Sequence, residues 1–404
     1  TRLMNEAIAL NYIDETEYPR VAVMCAKCIN IMANLWNSPE KAQWKTGALA
    51  IGSSEACMLG GVAAWLRWKE RRQAQGKPTD KPNFIISTGY QVVWEKFADL
   101  WQIEMRTVPL TLEQITLDPK QVIAMCDENT ICVVPIQGVT WTGLNDDVEA
   151  LDAALDEYNA RTGHDIPIHV DAASGGFILP FLQPEKRWDF RLKWVFSIST
   201  SGHKYGLVYP GLGWVIWKDK KYLPGKMSFS VNYLGADITQ VGLNFSRPGA
   251  QVLGQYYQFI RLGFEGYKEV QANSMAIAKY LHDEIGKMKP FVNYGKEVVN
   301  PLFIWMMCKD YAKVAEQITN AGSVFMGYYT PESAGDYASG TNHTLPTSGY
   351  AKAYSGVNLD SYVKKITFQE ITQQGIQKLA DTIEIMAENE QLMAHKFAVS
   401  IRKQ

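Results

Sequence analysis

The chain has 404 residues, enough for two or three domains with sizeable cores. Apolar residues make up 47% and charged residues 20%, an ordinary globular composition, and 40 basic against 42 acidic residues give a formal net charge of -2, which argues against nucleic-acid binding. No uninterrupted apolar run is long enough to cross a membrane and no signal peptide is evident, so no membrane association is expected and a cytoplasmic location is the default. The opening Thr1, in place of methionine, suggests a fragment or trimmed numbering. Six cysteines are too few for a disulfide framework. Cys25 and Cys28 form a lone CxxC in the helical pattern MCAKCINIMANLW and read first as core cysteines, with metal or redox use as the alternative.

In chain order, residues 20–36 read as a helix, and SSEACMLGGVAAWLRWKERRQAQG (53–76) as another, opening on serines able to cap it, with Glu55 in its first turn. Short apolar runs then alternate with helical stretches: NFIIS (83–87), MRTVPL (105–110), TICVVPI (130–136), IPIHVD (166–171), WVFSIS (194–199) and GWVIW (213–217). Between them, DDVEALDAALDEYNARTG (146–163) has a helical period and closes on glycine. Continuous apolar strands separated by helices predict an α/β fold whose mostly parallel sheet is covered on both faces. Residues 254–288 form one long helical pattern, and VVNPLFIWMM (298–307) reads as a strand or buried segment. TPESAGDYASGTNHTLPTSG (330–349) reads as a small-residue loop followed by helices. A soft boundary falls near 290–312, dividing a large domain over 1–290 from a C-terminal region over 291–404.

Three features of the large domain form a chemical set. Asp171 in HVDAASGG ends a strand, where open α/β sheets place ligands, although an Asx turn or helix cap explains it as well. Lys204 in SGHKYG ends a later strand, as a partly buried reactive amine or a lysine that snorkels to solvent. GSSEA (52–56) opens a helix, as a phosphate cradle or an ordinary N-cap. Pyridoxal phosphate needs a lysine for its aldehyde, an acidic partner for its pyridine nitrogen and a cradle for its phosphate.

With these residues the sequence closely resembles the glutamate decarboxylases of the group II pyridoxal-phosphate decarboxylases. The resemblance spans about residues 1–290 and is carried by GSSEACMLGG, STGYQVVWEKF, CDENTICVVPIQGVTWTG, HVDAASGGF, WDFRL, SISTSGHKYGL, GLGWVIW, NYLGADITQVGLNFSRP and QYYQFIRLGFEGYKEVQ. It implies the aspartate-aminotransferase-like fold type I, pyridoxal 5'-phosphate as cofactor, a homodimer or an assembly of dimers, and conversion of L-glutamate to 4-aminobutanoate and carbon dioxide. It implies that Lys204 carries the cofactor as an imine, beside His203, that Asp171 pairs with the pyridine nitrogen, and that Ala173 and Gln91 cover the two ring faces. Ser53, Ser54 and Ser201 would hold phosphate, Thr140 would lie near the imine and ring oxygen, and Ser246 would reach phosphate from the neighbouring subunit. Asn11 and Asp14 would approach the substrate's side-chain carboxylate. Decarboxylation of another amino acid is the nearest alternative.

The tail departs from that pattern. The family's small C-terminal domain, with its arginine for the substrate α-carboxylate, has no visible counterpart. From about residue 313, ITNAGSVFMGYYTPESAGDYASGTNHTLPTSGYAKAYSG and AENEQLMAHKFAVSIR resemble the C-terminal part of histidinol dehydrogenase. That resemblance makes Asp336 and His395 remnants of a four-ligand zinc site and places His343 and Glu390 at substrate-contacting positions. The other ligands, the catalytic Glu–His pair and the dinucleotide-binding part have no counterpart, so no metal site is expected. A turn cap is the simpler reading of Asp336, and a packed helix histidine of His395. Four origins of the junction stay open: a gene-model error, a fusion, a composite of two proteins, or a genuine tail replacement. The last would leave a catalytically impaired protein. Zinc-dependent histidinol dehydrogenation is the remote alternative.

Overall fold

A computed structural model describes residues 2–231, 238–288, 291–293, 297–301, 306–308, 310–327, 329–346 and 348–403. The NYLGAD stretch (232–237) and LFIW (302–305), both singled out in the sequence, lie outside the described residues. Two compact units divide the chain, residues 1–309 and 310–404.

The first unit opens with α1 (Arg2–Glu6) and α2 (Pro19–Leu35). Then β1 (Gly47–Ala50), α3 (Ser53–Ala74), β2 (Asn83–Ser87), α4 (Val93–Trp101), β3 (Glu104–Val108), α5 (Pro119–Met125), β4 (Thr130–Val134), α6 (Val148–Thr162) and β5 (Ile168–Asp171) alternate. After α7 (Leu179–Leu182) come β6 (Val195–Ser201) and β7 (Gly213–Trp217). An antiparallel pair, β8 (Phe229–Val231) and β9 (Ile238–Gln240), precedes α8 (Ala250–Gly286), and a second pair, β10 (Phe291–Asn293) and β11 (Met306–Cys308), follows it.

The main sheet runs β1-β7-β6-β5-β4-β2-β3. Its strands from β3 to β6 are parallel, whereas β7 is antiparallel to β6 and β1 is antiparallel to β7. The sequence did not reveal β1, because GALA is four residues of small, weakly strand-forming type. Period-two alternation then sorts the strand side chains. Ile85 and Val133 pack with Met32 of α2, Leu151 and Leu155 of α6 and Phe259 of α8. Their neighbours Phe84, Ile86, Cys132 and Val134 pack with Leu59 and Trp68 of α3 and with Trp94 and Phe97 of α4. Burying one such side chain is worth roughly 1.5–3 kcal/mol, so a one-residue slip of β2 or β4 would forfeit several of them at once. This is the two-faced, mostly parallel architecture of a fold type I enzyme.

Local chemistry sets the helix ends. Asp147 caps α6 by accepting from the Ala150 N–H at 3.0 Å, and Gly163 stops it at φ 72. Cys25 and Cys28 sit in the buried face of α2 as free thiols, and burial pushes the Cys25 thiol up to about 12. The long helical pattern near 254–288 is α8, but Gly263 (φ 60, ψ -166) breaks it into two halves.

The second unit holds α9 (Tyr311–Ala315), α10 (Glu332–Ala334) running into a π turn over Gly335–Ser339, and then α11 (Gln373–Asn389) and α12 (Met393–Ser400). Among the described residues, irregular chain with two single-turn 3-10 segments extends to Thr372, well past the loop expected over 330–349. Thr372 then starts α11 by accepting from the Gly375 N–H at 3.1 Å. The Ser400 hydroxyl donates to Glu384 at 2.7 Å and ties α12 to α11.

Candidate active site

Asp171 ends β5, 3% exposed, with its backbone bridged to Ile136 beyond the end of β4. Its Oδ1 accepts from the Ala173 N–H at 3.2 Å, the Asx turn that the sequence allowed. Its Oδ2 accepts from the indole N–H of Trp94 at 2.9 Å. A carboxylate held from both oxygens has a fixed direction. Ala173 in turn accepts from the Ser201 N–H at 3.2 Å, which joins the Asp171 turn to the end of β6.

The chain turns at Ser201–Leu207. Ser201 is fully buried, and its Oγ has no hydrogen-bond partner among the described residues. His203 is half-buried with Nδ1 3.4 Å from the Leu212 carbonyl, and Lys204 is half-buried beside it. The Lys204 amine makes no hydrogen bond or ion pair among the described residues. Cys57 of α3 lies within the field of both groups. Burial raises its thiol pKa well above the ordinary value, the Asp171 charge raises it further, and the Lys204 charge opposes them.

At the start of α3 the structure corrects one expectation. The N-cap is Gly52, in extended conformation, and Ser53 and Ser54 are the first helical residues rather than caps. Ser53 is half-buried and Ser54 exposed, so their hydroxyls and the first-turn N–H groups remain available. Glu55 closes the helix start differently: Oε2 accepts from the Ile51 N–H and Oε1 from the Leu243 N–H, both at 2.8 Å. Gly213 of β7 pairs with Ser201 and presses against Gly52, such that a Cβ there would stand 2.7 Å from the Ser53 nitrogen. Ser53 and Ser201 therefore flank a bare backbone position.

The remaining candidates fall into two groups. Gln91 is half-buried just before α4, its carbonyl accepting from the Trp94 N–H at 3.0 Å and its Nε2 enclosed without a partner among the described residues. Thr140 is half-buried in the turn closed by the Gly143 N–H on the Val139 carbonyl at 2.8 Å. Asn11 and Ser246 are brought together, Nδ2 to Oγ at 3.5 Å, where residues 10–12 run beside 247–249. Buried Arg247 anchors that segment, donating to the Leu49 carbonyl and to Gln240 at 2.8 Å each, with its guanidinium over the Tyr12 ring. Asp14 accepts from the Glu17 N–H at 2.9 Å. No bond joins Asn11, Asp14 or Ser246 to the Lys204 turn among the described residues.

Several contributors were not legible in the sequence. His169, two residues before Asp171 on β5, is fully buried with Nδ1 2.7 Å from Ser197 Oγ and Nε2 3.1 Å from Ser199 Oγ. Cys57 Sγ lies 3.2 Å from the same Ser199 Oγ. Burial pushes His169 down to about 3, so it is a neutral ring within a hydroxyl network. Trp94 stood in a quoted motif, but only the fold brings it to a carboxylate 77 positions away.

In the second unit, Asp336 accepts from both the backbone N–H and Nδ1 of His343, at 2.9 and 3.0 Å, which fits the turn-cap reading. That hydrogen bond holds its carboxyl below the usual range. Glu390 caps the end of α11. His395 lies in α12 but is exposed, not packed as expected, while Lys396 and Ser400 of the same helix carry the bonds to Glu388 and Glu384 of α11. Among the described residues no three His, Cys, Asp or Glu side chains gather as a metal site.

Residues 1–305 match the family model described as pyridoxal-dependent decarboxylase conserved domain, and residues 285–403 match the one described as histidinol dehydrogenase. A glutamate decarboxylase of Lactococcus lactis subsp. cremoris is 50% identical over 292 residues, 72% of this chain and 62% of that protein. Glutamate decarboxylase beta of Listeria innocua is 48% identical over 316 residues, 78% of this chain and 68% of that protein. The chain thus spans about two thirds of the length of these curated relatives. Among solved structures, a Lactobacillus brevis glutamate decarboxylase superposes with a TM-score of 0.70 at 48% identity, covering 73% of this chain and 67% of that one. A Burkholderia pseudomallei sphingosine-1-phosphate lyase, at 23% identity and TM-score 0.63, shares the fold.

Proposed function

The chain belongs to the pyridoxal-dependent decarboxylase family through residues 1–305, and from that premise we propose that it decarboxylates L-glutamate to 4-aminobutanoate with pyridoxal phosphate held at Lys204. One observation carries the reading. The fixed Asp171 carboxylate, the Lys204 turn and a buried Ser201 hydroxyl with no partner among the described residues meet at the ends of β5 and β6, with the bare Gly213 and the start of α3 beside them. These residues fit the cofactor. Asp171 would take the pyridine nitrogen, and Ser53, Ser54 and Ser201 with the α3 N–H groups would take phosphate. Gln91 and Ala173 would cover the ring faces, and Thr140 and His203 would flank the Lys204 amine. When bound, pyridoxal phosphate supplies an electron sink for the charge left as carbon dioxide departs.

This chain's own residues position and tune. Trp94 and the Ala173 N–H keep Asp171 aimed while leaving its remaining lone pairs for a ligand proton. The half-buried Lys204 amine would attach the cofactor and then yield it to substrate. Asn11 and Asp14 would face the substrate's side-chain end, and Ser246, exposed at its bond to Asn11, would reach phosphate across a homodimer. Six free thiols support a reducing, cytoplasmic setting, and among the described residues no helix is long and apolar enough to cross a membrane.

The test is carbon dioxide release from carboxyl-labelled glutamate, with aspartate and aromatic amino acids alongside. Lys204→Ala is expected to abolish both release and the absorbance of lysine-bound cofactor; a variant that kept both would overturn the assignment. The match of residues 285–403 to histidinol dehydrogenase favours a second reading, in which the chain anchors cofactor but turns over slowly. Lysine-bound absorbance without release would select it.

A further inference from the structure

Three consecutive carbonyls after Lys204 are gripped by one helix. Gln258 Nε2 donates to the Leu207 carbonyl at 2.9 Å, Gln255 Nε2 to Gly206 at 3.1 Å, and Gln271 Nε2 to Tyr205 at 2.9 Å. The Tyr267 hydroxyl donates to Gly206 at 2.9 Å and accepts from Gln255 at 3.1 Å. Gln255 and Gln271 are fully inaccessible and Tyr267 is 1% exposed. The Oε1 atoms of Gln255, Gln258 and Gln271 have no partner among the described residues, so each amide spends its donors on the turn and leaves its acceptor unpaired there. Fully buried glutamines are uncommon, and an unpaired buried oxygen is costly.

The turn is weakly held by itself. Its internal backbone bonds, Leu207 N–H to Lys204 and Val208 N–H to Gly202, are 3.3 and 3.4 Å long. Leu207 has a φ of 64, which strains a branched side chain. Gly206 sits so close to the Gly202 carbonyl that no side chain fits between them. The break at Gly263 lies between the two pairs of gripping residues and lets α8 supply both.

We propose that Gln255, Gln258, Tyr267 and Gln271 are positioning residues, a carbonyl clamp that holds the 205–207 turn and so fixes the direction of the Lys204 amine. The role rests on the reading of Lys204 as the cofactor-bearing lysine. A clamp outside the chemistry acts through alignment, where a displacement of about 1 Å can cost roughly 100-fold in rate.

Tyr267→Phe and Gln271→Met each remove a donor at similar volume. Ala278→Gly is the control, since it weakens α8 at a buried position without touching the turn. In the cofactor-free chain, the double variant is expected to speed amide exchange at Leu207 and Val208 by about tenfold, the equivalent of roughly 1.4 kcal/mol. In the loaded chain, it is expected to shift the pH midpoint of lysine-bound cofactor absorbance and hasten cofactor release. Ala278→Gly should lower thermal stability and move neither readout. Unchanged exchange, or the same changes in the control, overturns the clamp. Borohydride reduction of the unsubstituted chain checks the premise separately. Cofactor mass on Lys204 upholds it, and its absence there overturns the positioning role whatever the exchange shows.

Discussion

His169 reaches its hydroxyl network only because Gly60 of α3 faces it, where a Cβ would collide with the imidazole. The ring stays neutral in the folded chain down to about pH 3, while the unfolded chain takes up that proton near pH 6.5. The full contribution is therefore present above about pH 6.5 and is lost as pH falls toward 3, at up to roughly 1.4 kcal/mol per pH unit. Asp146 acts in the opposite sense. Burial pushes it up to about 6 against the bonds from Leu117 and Ile136, so it favours the folded chain as pH falls below that value. His169→Asn keeps polar contact with Ser197 and Ser199 and removes the titration. Between pH 7 and pH 4.5 the urea midpoint of the unsubstituted chain should move downward relative to that of this variant, because the opposing Asp146 slope is common to both. An equal shift in both would show that His169 does not set the acid limb.

At the scale of elements, the ligand end of the sheet depends on how closely β7 approaches the start of α3. Gly213 has no room for a side chain, since its Cβ would meet the Gly52 carbonyl and stand 2.7 Å from the Ser53 nitrogen. Both neighbours are backbone, so they yield only if the helix start moves. Gly213→Ala should lower stability by about 1–3 kcal/mol through overpacking. It should also weaken pyridoxal phosphate binding more than pyridoxal binding, because the displaced groups are the proposed phosphate cradle. Equilibrium titrations of both ligands check this, and equal losses would place the phosphate elsewhere. The long helix shows the same dependence on one glycine, since Gly263 turns a single sequence period into two rods.

For the whole molecule, the two family matches overlap over residues 285–305 and the two compact units part at 309/310. A covalently continuous chain should give an intact mass equal to that of the 404-residue sequence, with peptides crossing 285–330. Recovery of those residues only as parts of two separate proteins would identify a composite. This outcome bears directly on turnover, because the first unit carries every residue of the candidate cofactor site.

The sequence by itself determined the apolar strands β2 to β7 and the chemistry at their ends, but not β1 or the break in α8. NFIIS and GWVIW are strands to the residue, and α6 starts and stops on Asp147 and Gly163, because periodicity and capping are local properties. Asp171, Lys204 and the serines of α3 were legible as a set because their spacing follows strand ends, and the resemblance then gave each a role. The tertiary structure alone decided which groups support them. Trp94 on Asp171, His169 among Ser197 and Ser199, and the α8 donors on the 205–207 carbonyls join residues 28 to 77 positions apart. No local pattern marks such pairs, since a buried glutamine or indole reads in sequence as any other helix residue until packing chooses its partner.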